Sequence, residues 1–316
     1  MTVADLADRV RSGNVRAVAR AISLVENESA EAASLVAHLH PFAGAAYLVG
    51  VTGPPGAGKS TLVDRLTGVW RGQGHRVGVV AVDPTSPFTG GALLGDRVRM
   101  QRHAGDEGVF IRSMATRGLL GGLARATGDA VLVLDAARFG VVLIETVGVG
   151  QDEVDVVRSA DVSIVVVVPG TGDDVQALKA GVMEIADIYV VNKADREGAD
   201  RAAASIEALL SLQTFDASAW RPPVIRTDAS TGVGVEALSE AVQAFRRHPG
   251  GRLAARRRTR DAYRVRDLLA RQLLAHVERR VLAPGEFDAV LDRVARRELD
   301  PHAAAASLVE RALRRP

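Results

Sequence analysis

Eight consecutive residues, Gly53-Pro54-Pro55-Gly56-Ala57-Gly58-Lys59-Ser60, match the spacing G-x-x-x-x-G-K-[ST], and the chemistry this pattern suits is the holding of a polyphosphate. Glycines let backbone N–H groups turn inward around a β-phosphate, and the positive end of the following helix reinforces them. Lys59 supplies a full charge to bridge the β- and γ-phosphates. The Ser60 hydroxyl suits a magnesium ion, and Thr61 completes the nucleotide-binding set. An apolar run before the motif (47–52) and a helical pattern after it (60–70) supply the strand–loop–helix context that a chance lysine in a glycine-rich turn would lack.

A second constellation is Asn192-Lys193-Ala194-Asp195, at the end of the apolar run 188–191. An Asp carboxylate accepts hydrogens from guanine N1 and the exocyclic amine, which adenine does not offer, while Asn192 can serve the O6/N7 side and Lys193 lie along the base plane. Adenine would leave Asp195 without donors, so discrimination of several kcal/mol, to order of magnitude, is expected. A backbone amide within Thr227-Asp228-Ala229-Ser230 is expected to touch guanine O6. On the metal side, Glu145 ends the run 141–144, where it can hold magnesium through water, and the Gly148 amide can sense the γ-phosphate. Asp83 and Asp96 are further metal candidates, and Gln151 is the candidate water-orienting glutamine. No arginine finger is evident, so slow intrinsic turnover is expected.

These residues need a rigid frame. Short continuous apolar runs at 47–51, 77–82, 141–144, 164–168, 188–191 and 224–225 alternate with helical stretches, as strands buried on both faces of a parallel sheet require. The fold class predicted is α/β, a doubly wound, mostly parallel sheet forming a P-loop domain over 43–248. Helical extensions occupy 1–42 and 249–316, the latter beginning at the break His248-Pro249-Gly250-Gly251. With 31 glycines in 316 residues and 4% aromatics, the composition suits many tight strand-to-helix turns. The absence of cysteine excludes disulfides, thiolate metal sites and thiol nucleophiles. No signal peptide or membrane span is read, so a cytoplasmic protein is expected.

With these motifs the chain resembles the ArgK/MeaB family of P-loop GTPases, which includes chaperones of adenosylcobalamin-dependent acyl-CoA mutases such as methylmalonyl-CoA mutase. The resemblance covers most of residues 20 to 250 and is carried by the string from Val82-Asp83-Pro84-Thr85-Ser86-Pro87 to Asp96-Arg97-Val98-Arg99-Met100 and by Glu145-Thr146-Val147-Gly148-Val149-Gly150-Gln151. It implies that Asp83, Asp96 and Glu145 join Ser60 around magnesium. It also implies a third switch, from Pro169-Gly170-Thr171-Gly172-Asp173-Asp174 to Lys179, that communicates with the mutase, with Lys179 helping Lys59 and Asp96 at the catalytic centre. Family members are typically homodimers, which gives the C-terminal arm a role in assembly. The chain departs from the commoner pattern at Asp228, where Ser is usual, and at Arg112-Ser113-Met114-Ala115-Thr116-Arg117-Gly118.

Three rival classes share parts of this pattern. A metal-inserting GTPase should carry clustered ligands, yet His38 and His40 are the only close histidine pair. A kinase with an adenine donor fits the phosphate loop but not Asp195. A nucleic-acid-binding switch would use the crowd Arg252, Arg256, Arg257, Arg258, Arg260, Arg264 and Arg266, although Tyr263 is the one aromatic there and Asp261 and Asp267 interrupt the charge. A solvated helix face or subunit contact explains that crowd more simply.

Overall fold

The computed structural model describes residues 1–83, 101–103, 105–115, 122–146, 160–170, 186–216, 218–248 and 252–314. They form two compact units, Met1–Arg256 and Arg257–Pro316.

The first unit is built on seven strands: β1 (Tyr47–Thr52), β2 (Val77–Asp83), β3 (Val109–Ala115), β4 (Val141–Thr146), β5 (Val162–Val167), β6 (Ile188–Asn192) and β7 (Val224–Thr227). They lie in the order β3-β2-β4-β1-β5-β6-β7 with every pairing parallel. Valine and isoleucine dominate because their branched side chains fit a pleated surface covered on both faces. Every residue of β1, β4, β5 and β6 is accordingly buried. β1 sits centrally, with Val51 beside Glu145 on β4 and Ile164 on β5. Because all strands run one way, their last residues, Thr52, Thr146, Val167 and Asn192, share one edge of the sheet.

Helices α1 (Val3–Arg11), α2 (Val15–Glu26) and α3 (Ala32–Leu39) lead into the sheet, with α4 (Lys59–Gly72), α5 (Gly122–Ala136), α6 (Ala199–Ser211) and α7 (Val235–Arg247) following in order. On one face, Leu62, Leu66 and Trp70 of α4 and Val242 and Phe245 of α7 share a core with Val49, Leu143 and Val190. On the other, α5 and the N-terminal helices bury Val18, Ile22 and Leu134 against Val80, Val142 and Ile144, and α6 covers Val165, Tyr189 and Val191. Alternate strand residues thus face alternate layers, as the pleat demands.

One difference from the sequence reading has a physical cause. β3 was not foreseen: it is an edge strand that mixes Arg112 and Ser113 with Phe110 and Met114, so it lacks the continuous apolar run of the central strands. The compact unit that holds the sheet runs past the break at 248 to Arg256. Helix α8 (Arg252–His276) starts just after that break, and Arg256 donates from Nη1 to Asp187 Oδ2 and from Nη2 to Asp187 Oδ1, both at 2.6 Å, with its guanidinium over the Phe245 ring. Asp187 Oδ2 also accepts from the Ser163 amide at 2.8 Å, so this pair staples the starts of β5 and β6, opposite the edge described above. One member of the arginine crowd is therefore a structural residue.

The second unit, with the remainder of α8, continues through a π-helical turn (Val277–Val281) into α9 (Glu286–Ala295) and α10 (Pro301–Arg314) and is helical as expected, with Arg311 paired to Glu286. No helix among the described residues is long and apolar enough to cross a membrane.

Asp187 is 5% exposed in its side chain, and breaking a buried charge pair by removing one partner is costly. Arg256→Ala should lower unfolding free energy by about 2–3 kcal/mol in urea titrations. Nucleotide affinity should stay within about twofold, since the pair lies at the far end of the sheet.

Candidate nucleotide-binding site

The loop between β1 and α4 takes its shape from glycines with left-handed backbones. Gly53 has φ 143, and a Cβ there would fall 2.1 Å from the Val166 carbonyl oxygen, so the loop can lie against β5 only without a side chain. Gly58, φ 85, is the N-cap of α4, and a Cβ would fall 2.5 Å from Asn192 Nδ2. With no side chain at the cap, the first-turn N–H groups of α4 are presented towards the loop, the arrangement that suits an anion.

Lys59 is 5% exposed, and its ammonium donates to the carbonyls of Gly53 at 2.7 Å and Pro54 at 3.0 Å. Its stem reaches back across the loop, so the charge stands within the cradle rather than in solvent. Ser60 Oγ donates to Glu145 Oε1 at 2.6 Å, and both residues are buried. Helical start and strand end meet here because β1 and β4 are neighbours in register. The adjacent Thr146 hydroxyl donates to the Thr52 hydroxyl at 3.0 Å and locks the two strand tips. Asp83 ends β2 two residues beyond Ala81, the register partner of Glu145. The Asp83 side chain, and all of Asp96, Gly148, Gln151 and Lys179, lie outside the described residues.

At the tip of β6, Asn192 works as a joint. Its Nδ2 donates to the Ala57 carbonyl at 2.7 Å, while its Oδ1 accepts from the Thr227 hydroxyl at 3.0 Å and the Ala229 amide at 3.1 Å. The side chain expected to serve the O6/N7 side of guanine thus also ties the phosphate loop to the β7 loop. Lys193, in left-handed conformation at φ 57, donates to the Gly56 carbonyl at 2.7 Å and lies across the same loop. Asp195 is exposed three residues beyond the strand tip.

Asp228 accounts for its own departure from serine. Its Oδ1 accepts from the Ser230 amide at 2.9 Å and hydroxyl at 2.6 Å, and its Oδ2 accepts from the Thr231 hydroxyl at 2.6 Å. The carboxylate closes a turn that the Asp228–Val233 bridge completes. The amides of Ala229 and Ser230, the stretch expected to meet guanine O6, therefore each donate to a side chain of the protein, Asn192 and Asp228 respectively.

Sequence reasoning missed what flanks these motifs. On one side of α4, Arg65 donates from Nε to the Ala229 carbonyl at 3.0 Å and from Nη2 to the Ser230 carbonyl. On another, Asp64 pairs with Arg102 and, at 3.1 Å, with His103 Nε2, and Arg71 forks onto Asp106 at 2.8 and 2.9 Å. The Arg71 fork holds the Asp106 carboxyl below its ordinary range. None of these pairs has a sequence spacing that would have revealed it.

A parallel sheet whose tips carry a glycine-shaped phosphate loop, a hydroxyl–carboxylate pair at its centre and an N-K-x-D joint beside them defines a P-loop GTPase. The family described as methylmalonyl Co-A mutase-associated GTPase MeaB matches residues 18–281, and the chain belongs to that family. A Pyrococcus horikoshii relative, named only provisionally as a GTPase, is 50% identical over 97% of both chains. GTPase ArgK of Escherichia coli is 35% identical over 87% of this chain and 86% of its own. The mouse mitochondrial methylmalonic aciduria type A homolog is 37% identical over 73% of this chain and 57% of its own. Among solved structures, a protein titled LAO/AO transport system kinase superposes with a TM-score of 0.73 at 28% identity, covering 98% of this chain and 97% of that one. The chain is a GTPase with a doubly wound parallel sheet, and it binds GTP and GDP.

Hydrogen bonds, first those from Ser230, hold the Asp228 carboxyl at about 2, below its ordinary 3.8. A depressed carboxylate adds stability above its ordinary value and loses it as pH falls through the folded value. Protection of the Ser230 amide from hydrogen exchange, followed by NMR, should hold above about pH 4 and decline towards pH 2. In Asp228→Asn that pH dependence should vanish.

Proposed function

We propose that this GTPase couples hydrolysis to the loading, protection or reactivation of an adenosylcobalamin-dependent acyl-CoA mutase such as methylmalonyl-CoA mutase, acting in the cytoplasm as a homodimer. The observation that carries the reading is the family match across residues 18–281, whose description names association with that mutase. The name of the mouse relative supports the same chemistry.

The residues present suit magnesium. Ser60 Oγ and Glu145 Oε1 are hard oxygen donors 2.6 Å apart at the buried mouth of the loop. Ser60, Asp83, Asp96 and Glu145 would hold the ion, which when bound supplies positive charge to the β- and γ-phosphate oxygens. Lys59 exchanges the Gly53 and Pro54 carbonyls for phosphate oxygens and stabilises charge on the transferring group as water attacks in line. Gln151 orients that water, and Lys179 helps the catalytic centre. Gly148 senses the γ-phosphate, and its gain and loss reorders the switch segments, timing the partner's cycle.

On the base side, Asp195 takes N1–H and the exocyclic amine, while Asn192, Lys193, Asp228, Ala229 and Ser230 fix the pocket around them. The dimer uses the C-terminal arm, residues 249–316. There Val265, Leu269 and Leu273 are exposed at four-residue intervals on α8, with Leu291 of α9 and Leu313 of α10 also exposed. Such stripes suit helix-to-helix burial.

Two measurements test the reading. Asp195→Asn should weaken GTP binding at least about tenfold and favour xanthosine triphosphate, as competition binding will report; unchanged preference would exclude Asp195 as the base reader. Adding a cobalamin-dependent acyl-CoA mutase should raise the GTP hydrolysis rate and give co-elution on gel filtration. Unchanged rates and no co-elution across such mutases would remove the chaperone role, and salt-sensitive RNA binding in their place would favour a nucleic-acid switch.

A further inference from the structure

We infer that Arg65 is a positioning residue for guanine recognition, holding the Ala229–Ser230 loop against the O6 edge of the base from the same helix that carries Lys59 and Ser60. The inference rests on the guanine reading above and adds to it the residue that sets where the base loop stands.

Two adjacent carbonyls of this loop share one guanidinium: Arg65 Nε donates to Ala229 O at 3.0 Å and Nη2 to Ser230 O. A planar fork suits two acceptors a peptide apart, whereas a lysine would offer a single point of charge. The amides of the same residues are held by Asn192 Oδ1, at 3.1 Å from Ala229 N, and by Asp228 Oδ1, at 2.9 Å from Ser230 N, and the longer-held Ala229 amide is the donor that turns to O6 when guanine binds. The loop is therefore gripped on both sides: amides by the β6 tip and Asp228, carbonyls by α4. Its far limb closes over Arg65 as well, since Gly232, at φ +92, would carry a Cβ 3.7 Å from Arg65 Nη1.

α4 begins at Lys59, so Arg65 lies less than two turns beyond the phosphate-binding lysine. Trp70 Nε1, further along, donates to Ser239 Oγ on α7 at 2.8 Å and fixes the helix against the element that follows the base loop. One rod thus sets the separation between phosphate cradle and base loop. Losing Arg65 should free the loop while leaving the phosphate contacts in place.

The test uses the full chain and its Arg65→Ala and Arg65→Lys variants. Dissociation constants are measured for GDP, for IDP, which keeps O6 and N1–H but lacks the exocyclic amine, and for 2-aminopurine riboside diphosphate, which keeps the amine but lacks O6 and the N1 proton. Arg65→Ala should weaken GDP and IDP alike by about tenfold and 2-aminopurine diphosphate by less than about twofold. Arg65→Lys should lose part of the GDP preference. Equal weakening of all three ligands would mean a merely structural role and overturn the inference, as would unchanged GDP binding. Melting temperatures identify a variant that fails to fold; should Arg65→Ala do so, an unchanged GDP to 2-aminopurine ratio in Arg65→Lys is the overturning result. If the unaltered protein itself binds GDP and 2-aminopurine diphosphate equally, the guanine reading of this loop falls and the inference with it. If it discriminates and both variants discriminate as well, only the Arg65 role falls.

Discussion

The carboxamide of Asn192 is the joint on which the site depends. Its three hydrogen bonds, to Ala57 O, Thr227 Oγ1 and the Ala229 amide, join three chain segments that are far apart in sequence. Each is made in a buried setting, where a neutral hydrogen bond contributes about 1 kcal/mol net but an orphaned partner costs more. The joint exists because β6 is separated from β1 only by β5, so that its last residue reaches the loop leaving β1. Phosphate cradle and base loop are consequently two faces of one polar cluster at the edge of the sheet. Arg65 and Lys193 extend the cluster on either side.

The parallel sheet divides labour between its ends. Where the strands finish, main chain turns back through glycines and short polar residues, the end of a parallel sheet at which ligands bind. Where they begin, Asp161 and Asp187 accept from the amides of Leu48 and Ser163, and Arg256 balances the second carboxylate. Polar groups at the starts tie strand to strand, and those at the finishes tie the phosphate loop to the base loop. The apolar layers between keep the two ends at a fixed distance.

Much of this was legible in the sequence, for definite reasons. Tyr47 to Val51, Val141 to Ile144 and Ile188 to Val191 are continuous apolar runs, as a strand covered on both faces requires. The phosphate loop and N-K-x-D were readable because their chemistry fixes residue type and local spacing at once. β3 was not readable, since an edge strand needs fewer apolar residues and Arg112 there pairs with Glu26 of α2. Arg256 looked like one of a basic crowd because its partner, Asp187, lies 69 residues away, and long-range pairs leave no local pattern. Arg65 and Asp64 were hidden likewise, their neighbours being brought to α4 by topology alone. The structural ties of Asn192 to Ala57, Thr227 and Ala229 were hidden too, since sequence offers its chemistry without its neighbours.

Gly58 carries a consequence for how such a protein can change. The space its missing Cβ leaves is filled by Asn192 Nδ2, at 2.5 Å from where that atom would stand. The glycine thus answers to a residue across the sheet as much as to any phosphate. A smaller residue at 192 would make room for a side chain at 58 but would not relieve the left-handed φ of 85, so position 58 keeps its glycine whatever stands across from it. A search for altered base preference therefore has its freedom at the N-K-x-D tip and none at 58, and every replacement at 192 has to answer to the Ala57 carbonyl as well as to the base.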